Sequence, residues 1–210
     1  MSEQPPPSSS RVRVVKVGGS LFDWQPLRVA LGRWLDEQPA AVTVLIAGGG
    51  PLADAIRRAD QVHGLGEESA HALCIQAMGV TARLLAELLA DRATLATWDE
   101  LQAAIHSARP NCAVLDVPTC LAAVDTAGQQ SPLPHTWEVT SDSIAAAVAL
   151  ALKAHELVLL KSCDPPKGAA SEEHHCVASL AAAGYVDGYF PFAVAGYSGR
   201  VRFVNLRGLR

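Results

Sequence analysis

Two short stretches of sequence, VVKVGGSLFD at residues 14–23 and VLIAGGGPLAD at residues 44–54, decide the fold. Each is a continuous apolar run that passes directly into glycines and then into residues with helical spacing. Uninterrupted β-branched runs are typical of strands that are buried on both faces of a parallel sheet. The two stretches therefore predict two strand–turn–helix units, which are the building blocks of an α/β protein.

The rest of the chain repeats this alternation of strands and helices. Strands are predicted at 11–17, 41–47, 92–97, 112–117, 156–162 and 200–206, and helices at 26–38, 67–90, 98–108, 140–154 and 175–183, with a further helix opening at Pro51. The proline-rich stretch 118–138 is predicted to be a loop with at most one strand, at 120–124. The pattern indicates a three-layer αβα sandwich with a mainly parallel central sheet.

Composition excludes several classes of protein. Half of the 210 residues are hydrophobic, so we expect a single domain over 11–210, preceded by a disordered tail at 1–10. The net charge of −4 argues against a nucleic-acid-binding protein. The apolar runs are too short to span a membrane, and the N-terminus does not resemble a secretory signal. Five cysteines without a CxxC pair are consistent with a reducing cytoplasm.

Both glycine runs are predicted to lie at carboxyl ends of strands, where α/β sheets bind ligands. Backbone N–H groups without neighbouring side chains can face an anion there. Lys16 precedes the first run, and burying it is costly unless an anion meets it or its ammonium extends outward to water. Because one glycine suffices for a turn, the triplet 48–50 indicates a second anion site. Two such sites side by side suit a phosphate that moves between two bound molecules.

Other sites that these residues suggest are less consistent with the sequence. A GxxxxGK[ST] phosphate loop is absent from the sequence. The stretch GGGPLA at 48–53 matches a dinucleotide-binding pattern, but it follows the second strand, and the acids Glu67 and Glu68 begin a helix. The stretch EEHHC at 172–176, with Cys163 and Asp164, lacks metal-ligand spacing, and we expect a solvated loop there.

Four motifs in order resemble the amino acid kinase family: KVGGS at 16–20, GGGP at 48–51, TSDSIAAAVAL at 140–150 and LVLLKSCD at 157–164. This resemblance implies an αβα sandwich around a mainly parallel eight-stranded sheet. It also implies transfer of the γ-phosphoryl group of ATP, with Mg²⁺, to a carboxylate, carbamate or phosphate. Within the family, the stretches 133–146 and 185–191 look most similar to a small group linked to methanofuran biosynthesis. That group phosphorylates (5-(aminomethyl)furan-3-yl)methyl phosphate to the diphosphate.

The resemblance also implies roles for individual residues. Lys16 would stabilise the moving phosphoryl group, and Asp142 would orient the lysines or help to bind Mg²⁺. Lys161 ends a buried strand and is the candidate second cation, with Lys167 in reserve. The nucleotide side is expected to comprise Gly18, Gly19, Ser20, Ser162, Asp164 and Lys167. The acceptor side is expected to comprise Gly48, Gly49, Gly50, Asp54 and Ser141. Protein ligands for a metal are not assigned, because Mg²⁺ would be held through ATP.

The sequence departs from the family in two places, and one rival function stays open. SCDPP at 162–166 has proline where glycine is usual, and the chain has no lysine after Lys167. These departures favour a nucleotide-binding storage or scaffold protein, whereas the lysines and Asp142 favour the enzyme.

Three further expectations concern the acceptor pocket and the assembly. For an ammonium-bearing acceptor, Asp54 is the first candidate receptor, with Trp137 and Glu138 behind it, although Asp54 could equally be an ordinary first-turn acid. His71 is expected at the surface, with a place in the lining of the acceptor pocket as the alternative. The apolar stripe of the helix 67–90 predicts a homodimer or a larger homo-oligomer.

Overall fold

The computed structural model describes residues 11–107, 111–127, 132–166 and 177–209. Its centre is a six-stranded sheet in which every pairing is parallel. The strands are β1 (Val12–Val17), β2 (Val42–Ala47), β3 (Thr94–Ala96), β4 (Asn111–Leu115), β5 (Glu156–Lys161) and β6 (Arg200–Asn205). Their order across the sheet is β3-β4-β2-β1-β5-β6. The α/β class and the parallel sheet predicted from the sequence are confirmed.

The register of the central strands sets where the two glycine runs lie. All six residues of β1 and of β2 are buried, as continuous apolar strands at the centre of a sheet should be. Lys16 pairs with Ile46 on one side and with Leu159 on the other. The carboxyl ends of β1, β2 and β5 therefore reach the same edge of the sheet at the same level.

Helices cover both faces of the sheet. They are α1 (Leu27–Asp36), α2 (Gly50–His63), α3 (Glu67–Leu88), α4 (Trp98–His106), α5 (Val117–Ala127), α6 (Ser141–Ala151), α7 (Val177–Ala182) and α8 (Phe190–Ala193). One hydrophobic cluster packs α6 against Val14 and Ile46, and a second packs α1 against Val15 and Leu45. Adjacent residues of each strand thus pack into hydrophobic cores on opposite faces of the sheet. The sheet and the helices on its two faces form the three layers of the sandwich.

The main error in the predicted elements is α5. Residues 118–138 were expected to form a loop, but Val117–Ala127 is a helix. Val117, Cys120 and Val124 are buried at helical spacing, and Pro118 occupies the first turn, where a missing N–H costs nothing. The sequence interpretation gave the prolines too much weight and the apolar period too little.

Other boundaries differ from the prediction by at most three residues, the largest difference being at the end of α6, and the short helix α8 was not predicted. Within the described residues, the structure contains no helix that is long and apolar enough to cross a membrane. The predicted tail 1–10, Lys167 and the stretch 172–176 lie outside the described residues.

Candidate active site

The two glycine runs touch each other at the edge of the sheet. Gly18 N donates to Leu160 O, and Gly48 N donates to Val17 O, each over 2.9 Å, so both runs continue the strand pairing. A Cβ added to Gly19 would lie 2.6 Å from Gly50 N, and Gly50 has a φ of +56°. Both positions therefore require glycine, because a side chain would force the runs apart.

A buried trio of charges lies beside the glycine runs. Lys16 Nζ lies 2.8 Å from Asp142 Oδ1, and Lys161 Nζ donates to Asp142 Oδ2 over 2.7 Å. Lys16 is 5% exposed and Asp142 4% exposed, so Lys16 does not extend outward to solvent. Lys16 is the penultimate residue of β1, Lys161 ends β5, and Asp142 lies in the first turn of α6, so three separate elements bring these groups together.

The charges of the trio depend on one another. Burial by itself would raise the pKa of Asp142, but the two ammonium groups outweigh burial and hold that pKa below its usual range. Burial, followed by the nearby Lys16, lowers the pKa of Lys161, while Asp142 counteracts both. With one carboxylate between two ammonium groups, one positive charge has no protein partner in the trio. Such a site attracts an anion.

The start of α6 is held by Asp187, which the sequence interpretation did not assign to the site. The Asp187 carboxylate accepts from Thr140 N over 2.9 Å, from Thr140 Oγ1 over 2.7 Å and from Ser143 N over 3.0 Å. Ser143 Oγ also donates to this carboxylate. Tyr185, two residues earlier, accepts from Lys161 Nζ through its carbonyl over 2.7 Å. The only sequence signal was that both residues lie in the stretch 185–191.

A pocket of about 310 Å³ opens on the side of the glycine runs toward α3 and α6. Its lining comprises Gly19, Ser20, Gly49, Gly50, Ala53, Asp54, Arg57, His71, Cys74, Ile75, Met78, Trp137, Val139, Thr140, Ser141 and Ile144. The walls are mainly apolar with a smaller share of polar groups, as is usual for small-molecule sites.

The predicted site residues divide into three groups by their place in the structure. Gly19, Ser20, Gly49, Gly50, Asp54 and Ser141 line the pocket. Gly48 lies against Gly19 and the Ser141 hydroxyl. On the nucleotide side, Ser20 Oγ and Ser162 Oγ are 2.9 Å apart, whereas Asp164 is exposed in the loop that follows β5.

Asp54 is already paired, which weakens its predicted role as an ammonium receptor. Arg57 Nη1 donates to Asp54 Oδ1 over 2.7 Å, and the Arg57 guanidinium lies 5.0 Å from the centre of the Trp137 ring. Trp137 Nε1 in turn donates to Asp60 Oδ2 over 3.0 Å. Glu138 is exposed and does not line the pocket. Arg57 is the cation of this pocket, and the sequence interpretation overlooked it.

The expectation that His71 lies at the surface is wrong. His71 is 5% exposed and lines the pocket. It lies one turn before Ile75 on α3 and so shares the buried face of that helix. Its ring stacks on His135, with centroids 5.2 Å apart, and Nδ1 lies 3.2 Å from Thr136 O.

Comparison with known proteins identifies the family. Residues 11–165 match the model of the amino acid kinase family. The chain belongs to the amino acid kinase family. It is 29% identical over 154 residues to the [5-(aminomethyl)furan-3-yl]methyl phosphate kinase of Methanocaldococcus jannaschii, a match that covers 73% of this chain and 67% of the relative. Membership of the family and the kinase relative make this chain a kinase, and the resemblance inferred from the sequence is confirmed.

Solved structures support the same fold. The uridylate kinase of Archaeoglobus fulgidus superposes with a TM-score of 0.61 at 14% identity, and the match covers 92% of this chain and 90% of that one. The UMP kinase of Bacillus anthracis gives a TM-score of 0.61 at 12% identity, over 94% and 87% of the two chains. At these identities the likeness concerns the fold alone.

Proposed function

We propose that this amino acid kinase transfers the γ-phosphoryl group of ATP, assisted by Mg²⁺, to a small phosphate ester, with (5-(aminomethyl)furan-3-yl)methyl phosphate as the leading acceptor. The observation that carries the proposal is the buried trio of Lys16, Asp142 and Lys161 beside two touching glycine runs. Phosphoryl transfer requires in-line positioning and neutralisation of charge more than covalent chemistry. The trio and the bare backbone meet both requirements.

Each member of the trio has a distinct part in the proposed reaction. Lys16 and Lys161 stabilise the negative charge of the phosphoryl group as it moves between the two glycine runs. Asp142 holds both ammonium groups, so they are already oriented when substrates bind and little reorganisation is needed during the reaction. Asp187 anchors the first turn of α6 and thereby keeps Asp142 in place.

The residues present suit the phosphate groups of ATP better than they suit a metal ion bound directly by the protein. Both Asp142 oxygens face ammonium groups at 2.8 and 2.7 Å. Among residues 11–107, 111–127, 132–166 and 177–209, no cluster of three His, Cys, Asp or Glu side chains could hold a metal. Mg²⁺ would therefore be held mainly by phosphate oxygens, where it would neutralise their charge.

The acceptor is proposed to occupy the pocket of about 310 Å³ beside the second glycine run. Arg57 provides a cation there for a phosphate that is already ionised at neutral pH, so the transfer needs no general base. The mainly apolar walls suit a small ring. The [5-(aminomethyl)furan-3-yl]methyl phosphate kinase relative from Methanocaldococcus jannaschii makes such a phosphate ester the first compound to test.

The test is incubation of the purified protein with ATP, Mg²⁺ and single acceptors. The panel is (5-(aminomethyl)furan-3-yl)methyl phosphate, UMP, aspartate and N-acetylglutamate, with ADP release and product mass as readouts. The expected result is ADP release and a diphosphate product with the furan phosphate. ADP release with UMP or a carboxylate alone would overturn the proposed acceptor. Nucleotide binding without ADP release under any condition would instead support the storage or scaffold alternative.

A further inference from the structure

His71 carries a ring nitrogen that the protein leaves without a hydrogen-bond partner. The ring lines the pocket, yet Nε2 is enclosed and has no partner within the part of the chain that the structure describes. An unsatisfied buried polar atom lowers the stability of the protein. Because the ring lines the pocket, the candidate partner is a molecule bound there, and the side chains that enclose Nε2 must move aside for it to make the contact.

The contacts of the ring determine which kind of partner Nε2 needs. Nδ1 lies 3.2 Å from the carbonyl oxygen of Thr136, which can only accept a hydrogen bond. Nδ1 therefore carries the proton, and Nε2 of the neutral ring is an acceptor. Burial lowers the pKa of His71, the hydrogen bond to the Thr136 carbonyl opposes this, and the adjacent His135 lowers the pKa further, so that the net shift is downward and the neutral ring is favoured.

Neighbouring polar groups of the pocket are already engaged. Asp54 accepts from Arg57, and the Trp137 indole donates to Asp60. The walls next to His71 include the apolar side chains of Ile75 and Met78. In such surroundings an unpaired acceptor discriminates between ligands that carry a donor and those that do not.

We propose that His71 determines acceptor specificity by accepting, at Nε2, a hydrogen bond from an N–H or O–H group on the end of the acceptor remote from its phosphate. The proposal rests on the proposed kinase function and deepens it, because it selects phosphate esters that carry an amine or hydroxyl substituent. An acceptor with a methyl group at that place leaves Nε2 unpaired and binds less tightly.

The experiment compares two probes by calorimetry without ATP. The probes are (5-(aminomethyl)furan-3-yl)methyl phosphate and its 5-methyl analogue. The wild-type protein is expected to bind the amine about tenfold more tightly, since one hydrogen bond contributes about 1–1.5 kcal/mol. In His71→Phe the ratio of the two affinities should fall to about one, while the affinity for the methyl analogue stays unchanged.

Two further variants separate recognition from a structural role. His71→Gln places an amide oxygen near the position of Nε2 and should restore part of the preference. His106→Phe is the matched control. Nδ1 of His106 also lies near a backbone carbonyl, that of Gln102 at 2.7 Å, but His106 is exposed on α4 and does not line the pocket. That variant should behave like the wild type.

Several outcomes overturn the proposal. They are an unchanged preference in His71→Phe, an equal loss of affinity for both probes, and no binding of either probe to the wild type. A nitrogen-15 NMR spectrum that shows a proton on Nε2 at neutral pH would also overturn it. Because binding is measured without ATP, a failure of phosphoryl transfer in the ADP assay is distinguishable from a failure of this recognition.

Discussion

At the scale of single residues, the position of Lys16 determines the site. A lysine within an apolar strand is expensive to bury without a counter-ion. The structure supplies Asp142 at 2.8 Å and keeps Lys16 almost fully buried. A buried cation held by a shared carboxylate contributes little to stability for its cost. Its position beside the glycine runs is the one that the proposed role toward a bound phosphate requires.

Replacing Lys16 with methionine tests this role. Lys16→Met keeps the volume of the side chain and removes one preorganised charged donor, so the rate of ATP-dependent transfer should fall by about a hundredfold or more. Steady-state ADP release gives the rate, and circular dichroism shows whether the fold is kept. Lys153→Gln, which changes an exposed lysine at the end of α6, is the control and should retain full activity. A folded Lys16→Met protein with most of its activity would refute the role.

At the scale of elements, the site depends on how closely β1, β2 and α6 approach one another. The contact between Gly19 and Gly50 lets the turns that follow β1 and β2 pack backbone against backbone. The start of α6 then lies over this contact, with the Ser141 hydroxyl 3.1 Å from the position that a Gly48 Cβ would take. Small changes at these backbone contacts should displace both the Lys16–Asp142–Lys161 trio and the pocket.

Gly19→Ala tests the contact between the turns. The added methyl group would lie 2.6 Å from Gly50 N and 2.8 Å from its Cα, so backbone must shift. Overpacking of this kind typically costs about 1–3 kcal/mol, measured by urea denaturation, and transfer activity should fall at least tenfold. Gly64→Ala cannot serve as the control, because Gly64 has a φ of +62° and an alanine there would strain the backbone. Ala72→Gly, at an exposed position of α3, is a milder reference for stability, at about 1 kcal/mol, and it should keep its activity.

Asp187→Asn tests the anchoring of α6. An amide at this position cannot accept all of the bonds from Thr140 and Ser143, so we expect a loss of about 2 kcal/mol in the free energy of unfolding. Because Asp142 loses its fixed place, kcat should fall with little change in KM for ATP. Asp36→Asn, in an exposed pair with Arg92, should cost less than about 1 kcal/mol. Unchanged kcat in Asp187→Asn would show that α6 is held without it.

At the scale of the whole molecule, a second buried charge cluster joins the opposite ends of the strands. Arg13 Nε donates to Glu156 over 2.7 Å, and Arg202 Nη1 donates to the other oxygen over 3.1 Å. Burial would raise the pKa of Glu156, but the two guanidinium groups outweigh burial and lower that pKa from its usual 4.5. This cluster ties β1, β5 and β6 together at the edge away from the site.

The lowered pKa of Glu156 predicts acid sensitivity. A depressed carboxyl pKa contributes stability that is present above pH 4.5 and is lost as the pH falls through the lower value of the folded state. Glu156→Gln should therefore be less stable than the wild type by about 3 kcal/mol at neutral pH, and the difference should shrink below pH 4.5. Urea denaturation across this range is the measurement. A difference that stays constant with pH would contradict the assignment.

The predicted homo-oligomer is tested on α3. Leu73, Val80 and Leu84 share one face of this helix and are 45%, 52% and 47% exposed. Seven- and four-residue spacing places them in one stripe. We expect a homodimer in which this stripe packs against its copy, and Val80→Glu should shift the mass measured by light scattering to that of a monomer. Val29→Glu, an exposed apolar position on α1, is the control. An unchanged dimer in Val80→Glu would place the interface elsewhere.

The fold could be predicted largely from the sequence because its strands are local and strongly patterned. Continuous apolar runs that end in glycine mark β1 and β2, and each is buried along its whole length. Prediction was wrong at α5, where Pro118 was taken as a break although a first-turn proline fits a helix. It was also wrong for His71, because the face that α3 turns toward the pocket depends on how the helix packs.

Sequence alone determined the layered α/β architecture, the two glycine turns and the lysines and aspartate that were assigned to the site, since each has a signal within a few neighbouring residues. Only the tertiary structure decided that Lys16 and Lys161 share Asp142 and that Asp187 anchors α6. It also decided that His71 faces the pocket and that Arg57 pairs with Asp54. Apart from the Asp54–Arg57 pair, whose members lie three residues apart on α2, these relations join residues that are far apart in the chain. They arise from the register of parallel strands and from the packing of helices on the sheet, for which a local pattern of residues carries no signal.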